Sequence, residues 1–361
     1  MPRFNRLGRW IGATLGAALC VVAVTYSVAA PAGASTGTRN CRDVSLPTGL
    51  SATSRQNLTL FGRLCLPASG KAQAIQVLVH GGTYDNTYWD FPGFGGAYSY
   101  AAYMNGAGYA TLAIDLIGVG RSSHPLGATV TIQSQAYAIH SAVQAARAGA
   151  LGVAYRRVVV VAHSLGTLTA DLEVSHYQDV DGFIPTGTSH GPGLLGLVRI
   201  FSKAVPALLD PVTAPQVPFG DVTYLSTPNA RSVFYAGGSV DPAVQAADEA
   251  SRQPVPAGYA GTLAPYIVAT PLLGTDAIDV PVLLVNGQRD GVFCAGGGGL
   301  ATTSCASDQA LYESERPFYS PAAQLQTYVL PDSGHDINLV PNAQLWYARA
   351  LRWCSEFVPA S

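Results

Sequence analysis

Three side chains raise the question of chemistry. Ser164 stands in Ala162-His163-Ser164-Leu165-Gly166, Asp290 follows Asn286-Gly287-Gln288-Arg289, and His335 follows Pro331-Asp332-Ser333-Gly334. A serine hydroxyl is a weak nucleophile; it needs an adjacent base to take its proton and an acid to orient that base. A serine between small residues, at a turn from strand to helix, matches a nucleophile elbow, in which a tight turn projects the hydroxyl above the sheet edge. Taken alone, each residue has a plainer reading: Ser164 in a tight turn, His335 on the surface, Asp290 in a turn with Asp308 or Asp332 as rival acids. Asp336 is a poor rival, because its neighbour His335 would have to fold back onto it.

The elements around these residues decide between the readings. Val158-Val159-Val160-Val161 predicts a strand buried on both faces, since a β-branched run fits a covered sheet, and a helix is expected from Thr167 to about Val174. Ile75–Val79 is a second core strand and runs into His80-Gly81-Gly82-Thr83, where glycines allow close backbone approach to a ligand. Further strands are expected at 110–114, 182–186, 280–286 and 325–330, with helices at 98–105, 132–150 and 342–357. Alternating strands and helices imply a mostly parallel sheet flanked by helices on both faces. Ligands bind such sheets beyond the carboxyl ends of the strands, where His80, Ser164, Asp290 and His335 all fall.

The stretch from about 190 to 278 breaks the alternation. It is rich in Pro and Gly, offers helical pieces at 194–209 and 242–253, lacks a convincing core strand, and reads as a lid insertion after the sixth strand. Before the core, residues 57–64 alternate imperfectly, as an edge hairpin strand would. Tyr84, Tyr88 and Trp89 form an aromatic loop suited to lining a pocket or to packing on the surface.

Taken together, the strand followed by His80-Gly81-Gly82, the Asp115-x-x-Gly118-x-Gly120-x-Ser122 turn, the Ser164 elbow, Asn286-Gly287-x-x-Asp290 and Gly334-His335 resemble the α/β-hydrolase superfamily over roughly residues 60 to 357. The order Ser, Asp, His is the order associated with that fold. The resemblance implies an α/β-hydrolase fold, Ser164 as nucleophile, His335 as general base and then acid, and Asp290 as its orienting partner. It also implies an oxyanion hole from the backbone N–H groups of Gly82 and Leu165, with Thr83 the substitute for Gly82. Ala162 departs from the usual glycine, which blurs the subfamily. The expected activity is hydrolysis of a small-molecule carboxylic ester, lipophilic or aromatic, through an acyl-enzyme. The same three residues would also serve amide, peptide or lactone cleavage, or acyl transfer; a non-catalytic binding protein on a hydrolase scaffold is the reading from another class. An elbow aspartate, which related epoxide- and haloalkane-opening enzymes need, is absent.

Composition narrows the rest. The 361 residues are 48% hydrophobic and only 12% charged, with a formal net charge of −2, which leaves no electrostatic footprint for nucleic acid. Gly118-Val119-Gly120-Arg121-Ser122-Ser123 brushes a dinucleotide fingerprint but ends in serine and lacks the acid that follows it, so no cofactor is expected. His124, His140, His163, His176 and His190 show no metal-ligand spacing, and no Cys-x-x-Cys occurs, so no metal is expected either.

Arg3, Arg6 and Arg9, an apolar run from Ile11 to Val28, and Ala32-Gly33-Ala34 read as a signal peptide spanning residues 1–34. The catalytic domain would then occupy 35–361, exported, with no stable membrane anchor after cleavage. Export exposes the chain to oxidising conditions, and proximity in sequence suggests Cys41–Cys65 and Cys294–Cys305, with Cys354 left over.

Overall fold

The computed structural model describes residues 40–235, 238 and 240–361; the expected signal peptide lies outside them. An eight-stranded sheet has the order β1-β2-β4-β3-β5-β6-β10-β11. Its strands are β1 (Asn40–Thr48), β2 (Leu58–Leu66), β3 (Ala74–Val79), β4 (Ala110–Ile114), β5 (Arg157–His163), β6 (Gly182–Thr186), β10 (Leu283–Gly287) and β11 (Gln326–Leu330). From β4 onward all neighbours are parallel, while β1–β2 and β2–β4 are antiparallel.

The valine run shows why the sheet forms. Val158, Val160 and Ala162 enter one core cluster, and Val159 and Val161 enter the cluster on the opposite face. Side chains alternate along a strand, so only a sheet covered on both sides can bury every one of them. α2 (Ile132–Arg147) and α3 (Leu165–Tyr177) cover the first face; α1 (Tyr100–Gly106) and α9 (Ala343–Phe357) cover the second. α2 opens with a capping box between Thr131 and Ser134, which satisfies its first free N–H groups.

The hairpin expectation needs correction in one respect: β1 is the edge strand, and β2 lies inside the sheet between β1 and β4. Burial on both faces, as at Leu60, Phe61 and Leu64, explains why β2 alternates so poorly. Cys41 and Cys65 sit directly opposite in the β1–β2 register and are disulfide-bonded. Cys294–Cys305 is the second disulfide, and Cys354 is free and buried.

Between β6 and β10 the chain builds α4 (Leu194–Phe201), α5 (Arg231–Phe234), α6 (Pro242–Ala250) and α7 (Ala257–Val268), with a small sheet β7-β8-β9 of Val205–Pro206, Tyr224–Ser226 and Val255–Pro256. α7 and this sheet were not legible as elements. The strands are two or three residues long, and α7 carries Gly258, Gly261 and an internal Pro265. After β10, α8 (Asp308–Glu315) precedes β11. Among the described residues no helix is long and apolar enough to cross a membrane.

Candidate active site

β5 delivers Ser164 at its carboxyl end with φ 55° and ψ −122°, a conformation that non-glycine residues seldom adopt. The surroundings fix it there. Ser164 N–H donates to Thr186 O at 2.9 Å, and Thr167 Oγ1, in the first turn of α3, donates to the same carbonyl at 3.0 Å. A Cβ on Gly166 would come 2.2 Å from His80 O, so the start of α3 meets the loop after β3 only with glycine at this position. Ala162, two residues before the serine, is fully buried.

The structure brings together the three residues named from sequence. His335 Nε2 lies 2.8 Å from Ser164 Oγ, and His335 Nδ1 lies 2.8 Å from Asp290 Oδ2. Asp290 is fully buried and accepts N–H bonds from Val292 (2.7 Å) and Phe293 (3.0 Å) through its other oxygen. The carboxylate is therefore held with Oδ2 aimed at the imidazole. Phe293 and Phe234 flank the His335 ring, with centroids at 5.6 and 5.4 Å.

The rival acids are placed elsewhere. Asp308 Oδ1 accepts from Val329 N, at the far edge of the sheet, and Asp332 forms an exposed pair with Arg289. His163 is buried, hydrogen-bonds through Nδ1 to Thr186 Oγ1 and stacks on Tyr88. Burial, with the neighbouring His335, holds its imidazole well below the ordinary range, so it packs as a neutral ring.

Gly81 and Gly82 pass over the elbow: a Cβ on Gly81 would lie 3.1 Å from Ser164 Cβ, and one on Gly82 would lie 3.1 Å from the Leu165 side chain. His80 anchors this loop from beneath. Its Nε2 accepts from Leu116 N at 3.0 Å, so Nδ1 carries the proton and donates to Gly81 O at 2.8 Å. Burial lowers the His80 pKa, in keeping with that neutral tautomer. Thr83 follows with φ 65°.

The residue that holds Thr83 went unnoticed in the sequence. Arg231, fully buried on α5, donates from Nη1 to Thr83 Oγ1 (2.6 Å) and from Nη2 to Thr83 O (2.8 Å). Its Nε bonds Asp248 Oδ1 on α6 at 2.9 Å, and its guanidinium lies 4.1 Å from the Tyr84 ring centroid. Tyr84 and Tyr235 hydroxyls each approach both Asp248 Oδ2 and Asp336 Oδ2, at 2.8–3.2 Å. Two hydroxyl protons serve four contacts, and burial raises the pKa of both carboxyls. An arginine in an irregular stretch carries no sequence signal for such a partner set.

A cavity opens on Ser164 and Gly82. Leu197, Ile200 and Phe201 of α4, Leu225 of β8, Val255 of β9 and Ile267 of α7 form its outer wall, and among the described residues no charged side chain lines it. The aromatic loop is not part of this wall. Tyr84, Tyr88 and Trp89 are buried in the core on the α1/α9 face, because their rings pack on one another and on Tyr100. The cavity's rings are Phe201, Phe234 and Phe293 instead. Asp115 and its glycines form a structural turn: the carboxylate accepts from Asn86 and from Arg121 N, and Ser122 Oγ donates to Asp115 O.

The family model described as "Alpha/beta hydrolase family" matches residues 76–346. No curated protein matches the chain. Among solved structures, a putative lipase from Acinetobacter baumannii AYE is similar at 16% identity and a TM-score of 0.56, covering 88% of this chain and 92% of that one. A soluble variant of monoglyceride lipase from Saccharomyces cerevisiae, in complex with a substrate analog, is 13% identical at a TM-score of 0.56, over 87% and 96% of the two chains. A putative aryl esterase from Burkholderia cenocepacia is 14% identical at 0.55, over 88% and 98%. At these identities the likeness is one of fold.

Proposed function

Because the chain belongs to the alpha/beta hydrolase family, we propose that it is an exported serine hydrolase that cleaves carboxylic esters with apolar acyl groups. The observation that carries this reading is the continuous Ser164–His335–Asp290 hydrogen-bond chain at the mouth of an apolar cavity. His335 Nε2 takes the Ser164 proton as Oγ attacks the ester carbonyl, and Asp290 stabilises the imidazolium through Nδ1. N–H groups of Leu165, at the start of α3, and of Gly82 or Thr83 face the developing oxyanion, where preorganised donors are worth most. His335 then protonates the leaving alkoxide. Water, deprotonated by the same imidazole, releases the acyl group and regenerates Ser164.

The insertion between β6 and β10 acts as the lid that shapes the acyl site. The uncharged wall from α4, β8, β9 and α7 favours an apolar acyl chain over a charged one, because a buried charge would find no partner there. Export is supported by the N-terminal pattern and by the two disulfides. The test is a panel of p-nitrophenyl esters of increasing acyl length, run on wild type and Ser164→Ala. Turnover should rise with chain length in the wild type and vanish in the variant while the fold, read by circular dichroism, is unchanged. Equal turnover by both proteins would end the proposal.

A further inference from the structure

Away from the elbow, His140 of α2, Glu173 of α3 and Asp179 in the α3–β6 connection converge, each offering a ligand atom within 4.8 Å of the others. His140 Nδ1 lies 2.8 Å from Asp179 Oδ2 and 3.9 Å from Glu173 Oε1. Linear spacing could not show this set, because His140 stands on α2, 33 residues before Glu173.

Glu173 makes the cluster more than a patch of acids. Its side chain is completely buried, and its carboxyl meets no group outside the cluster: Asp179 lies beside it and His140 at 3.9 Å. Two carboxyls facing each other in a buried site are strongly disfavoured as anions, and no Arg or Lys side chain among the described residues is paired with Glu173. Arg147, the nearby cation, reaches the Asp179 main-chain carbonyl and the Asp181 carboxylate instead.

We propose that His140, Glu173 and Asp179 bind one divalent transition-metal ion of the zinc type, which clamps α2 to α3 and to the segment leading into β6. Imidazole with two carboxylates suits zinc and its neighbours, whereas calcium and magnesium prefer all-oxygen sets. Zinc ligands at about 2.1 Å stand about 3.4 Å apart on a tetrahedron, and the observed 2.8 and 3.9 Å bracket that separation. The surrounding groups are already set. Tyr177 stacks on the His140 ring at 3.7 Å, and Gln144 Nε2 donates to Asp179 Oδ2 at 2.6 Å, fixing both ligands as outer-shell partners of a metal do. His140 and Asp179 keep 21% and 15% of their side-chain surface exposed, which leaves an entry path and room for a water as fourth ligand. Glu173 follows Ser164 by nine residues along α3, about 13 Å of helix. The ion is therefore structural and takes no part in the reaction.

The test uses untagged full-length mature protein stripped with a chelator, titrated with Zn²⁺ by calorimetry and followed by thermal unfolding. One Zn²⁺ per chain should bind, and at a hundredfold excess over Kd the melting temperature should rise by about 4 °C. Glu173→Gln should weaken binding at least tenfold. Asp179→Asn, at a side chain that is only partly buried, should do the same if the Glu173 variant folds poorly. Absence of binding to the wild type overturns the proposal. So does binding undiminished in both variants, which would place the ion elsewhere and leave Glu173 and Asp179 sharing a proton.

Discussion

Arg231 offers the sharpest test of how the insertion holds the loop after β3. Replacing it by alanine removes three hydrogen bonds, to Asp248 and twice to Thr83, and the guanidinium over Tyr84. It also leaves Asp248 and Asp336 buried together without their cation. Removing one partner of a buried ion pair costs about 3–5 kcal/mol. For a body of this size, with an unfolding entropy of about 2 cal/mol/K per residue, that lowers the melting temperature by about 4–7 °C. The functional effect is separable from the stability loss. Thr83 sits at φ 65° beside Gly82, and without the Arg231 bonds the loop relaxes away from the oxyanion position. Loss of one oxyanion donor costs about 10²–10³ in kcat, so a misaligned one should cost about tenfold to a hundredfold, with KM little changed. The double variant Arg231→Ala/Asp248→Asn removes the unpaired charge and should recover much of the melting temperature, while kcat stays low because Thr83 is still unheld. Steady-state kinetics beside differential scanning calorimetry reads both. Full kcat in Arg231→Ala, or recovery of kcat together with stability in the double variant, would refute the positioning role.

Other perturbations follow from the same contacts. Burial and the nearby Asp85 push the Asp115 carboxyl up to about 6. A raised carboxyl is harmless below the unfolded-chain value and destabilises as pH climbs through the folded one. The stability of Asp115→Asn relative to wild type should therefore improve by about 2–3 kcal/mol between pH 4 and pH 7, measured by urea unfolding; a pH-independent difference contradicts this. Ile200→Trp narrows the acyl cavity. Each buried methylene is worth about 0.8 kcal/mol, or about fourfold in kcat/KM, so loss of room for two should depress long-chain p-nitrophenyl esters about fifteenfold while sparing the acetate. Cys41→Ser/Cys65→Ser opens a loop of 24 residues' separation and should destabilise by about 3 kcal/mol in denaturant titration, with activity at 25 °C retained.

Much of the site was legible because its residues announce themselves locally. The valine run, the small residues around Ser164 and the glycines after Val79 each have a short-range physical reason to be where they are. Asp290 and His335 close the set at the ends of the strands that the alternating pattern predicts. Both disulfides follow from proximity, one within a hairpin and one within a short loop. What the sequence could not carry is long-range. Arg231 meets Thr83 across 148 positions, and His140 meets Glu173 and Asp179 only once α2 packs on α3. The aromatic loop misled for a related reason: Tyr84, Tyr88 and Trp89 read as a pocket wall or as a loop packed on the surface, and only the packing of Tyr100 and Trp346 behind them places them in the core. α7 stayed hidden because its glycines and Pro265 argue locally against the helix that tertiary packing against α2 and α3 supports.

On the proposed function, Ser164 is a nucleophile activated by His335. The most direct measurement is covalent labelling with a fluorophosphonate probe, mapped by mass spectrometry of the digested protein, in wild type and in His335→Ala. One phosphonate per chain is expected on Ser164 in the wild type, with labelling slowed by orders of magnitude in the variant. A wild type that stays unlabelled, or is labelled at another residue, would contradict the proposed function.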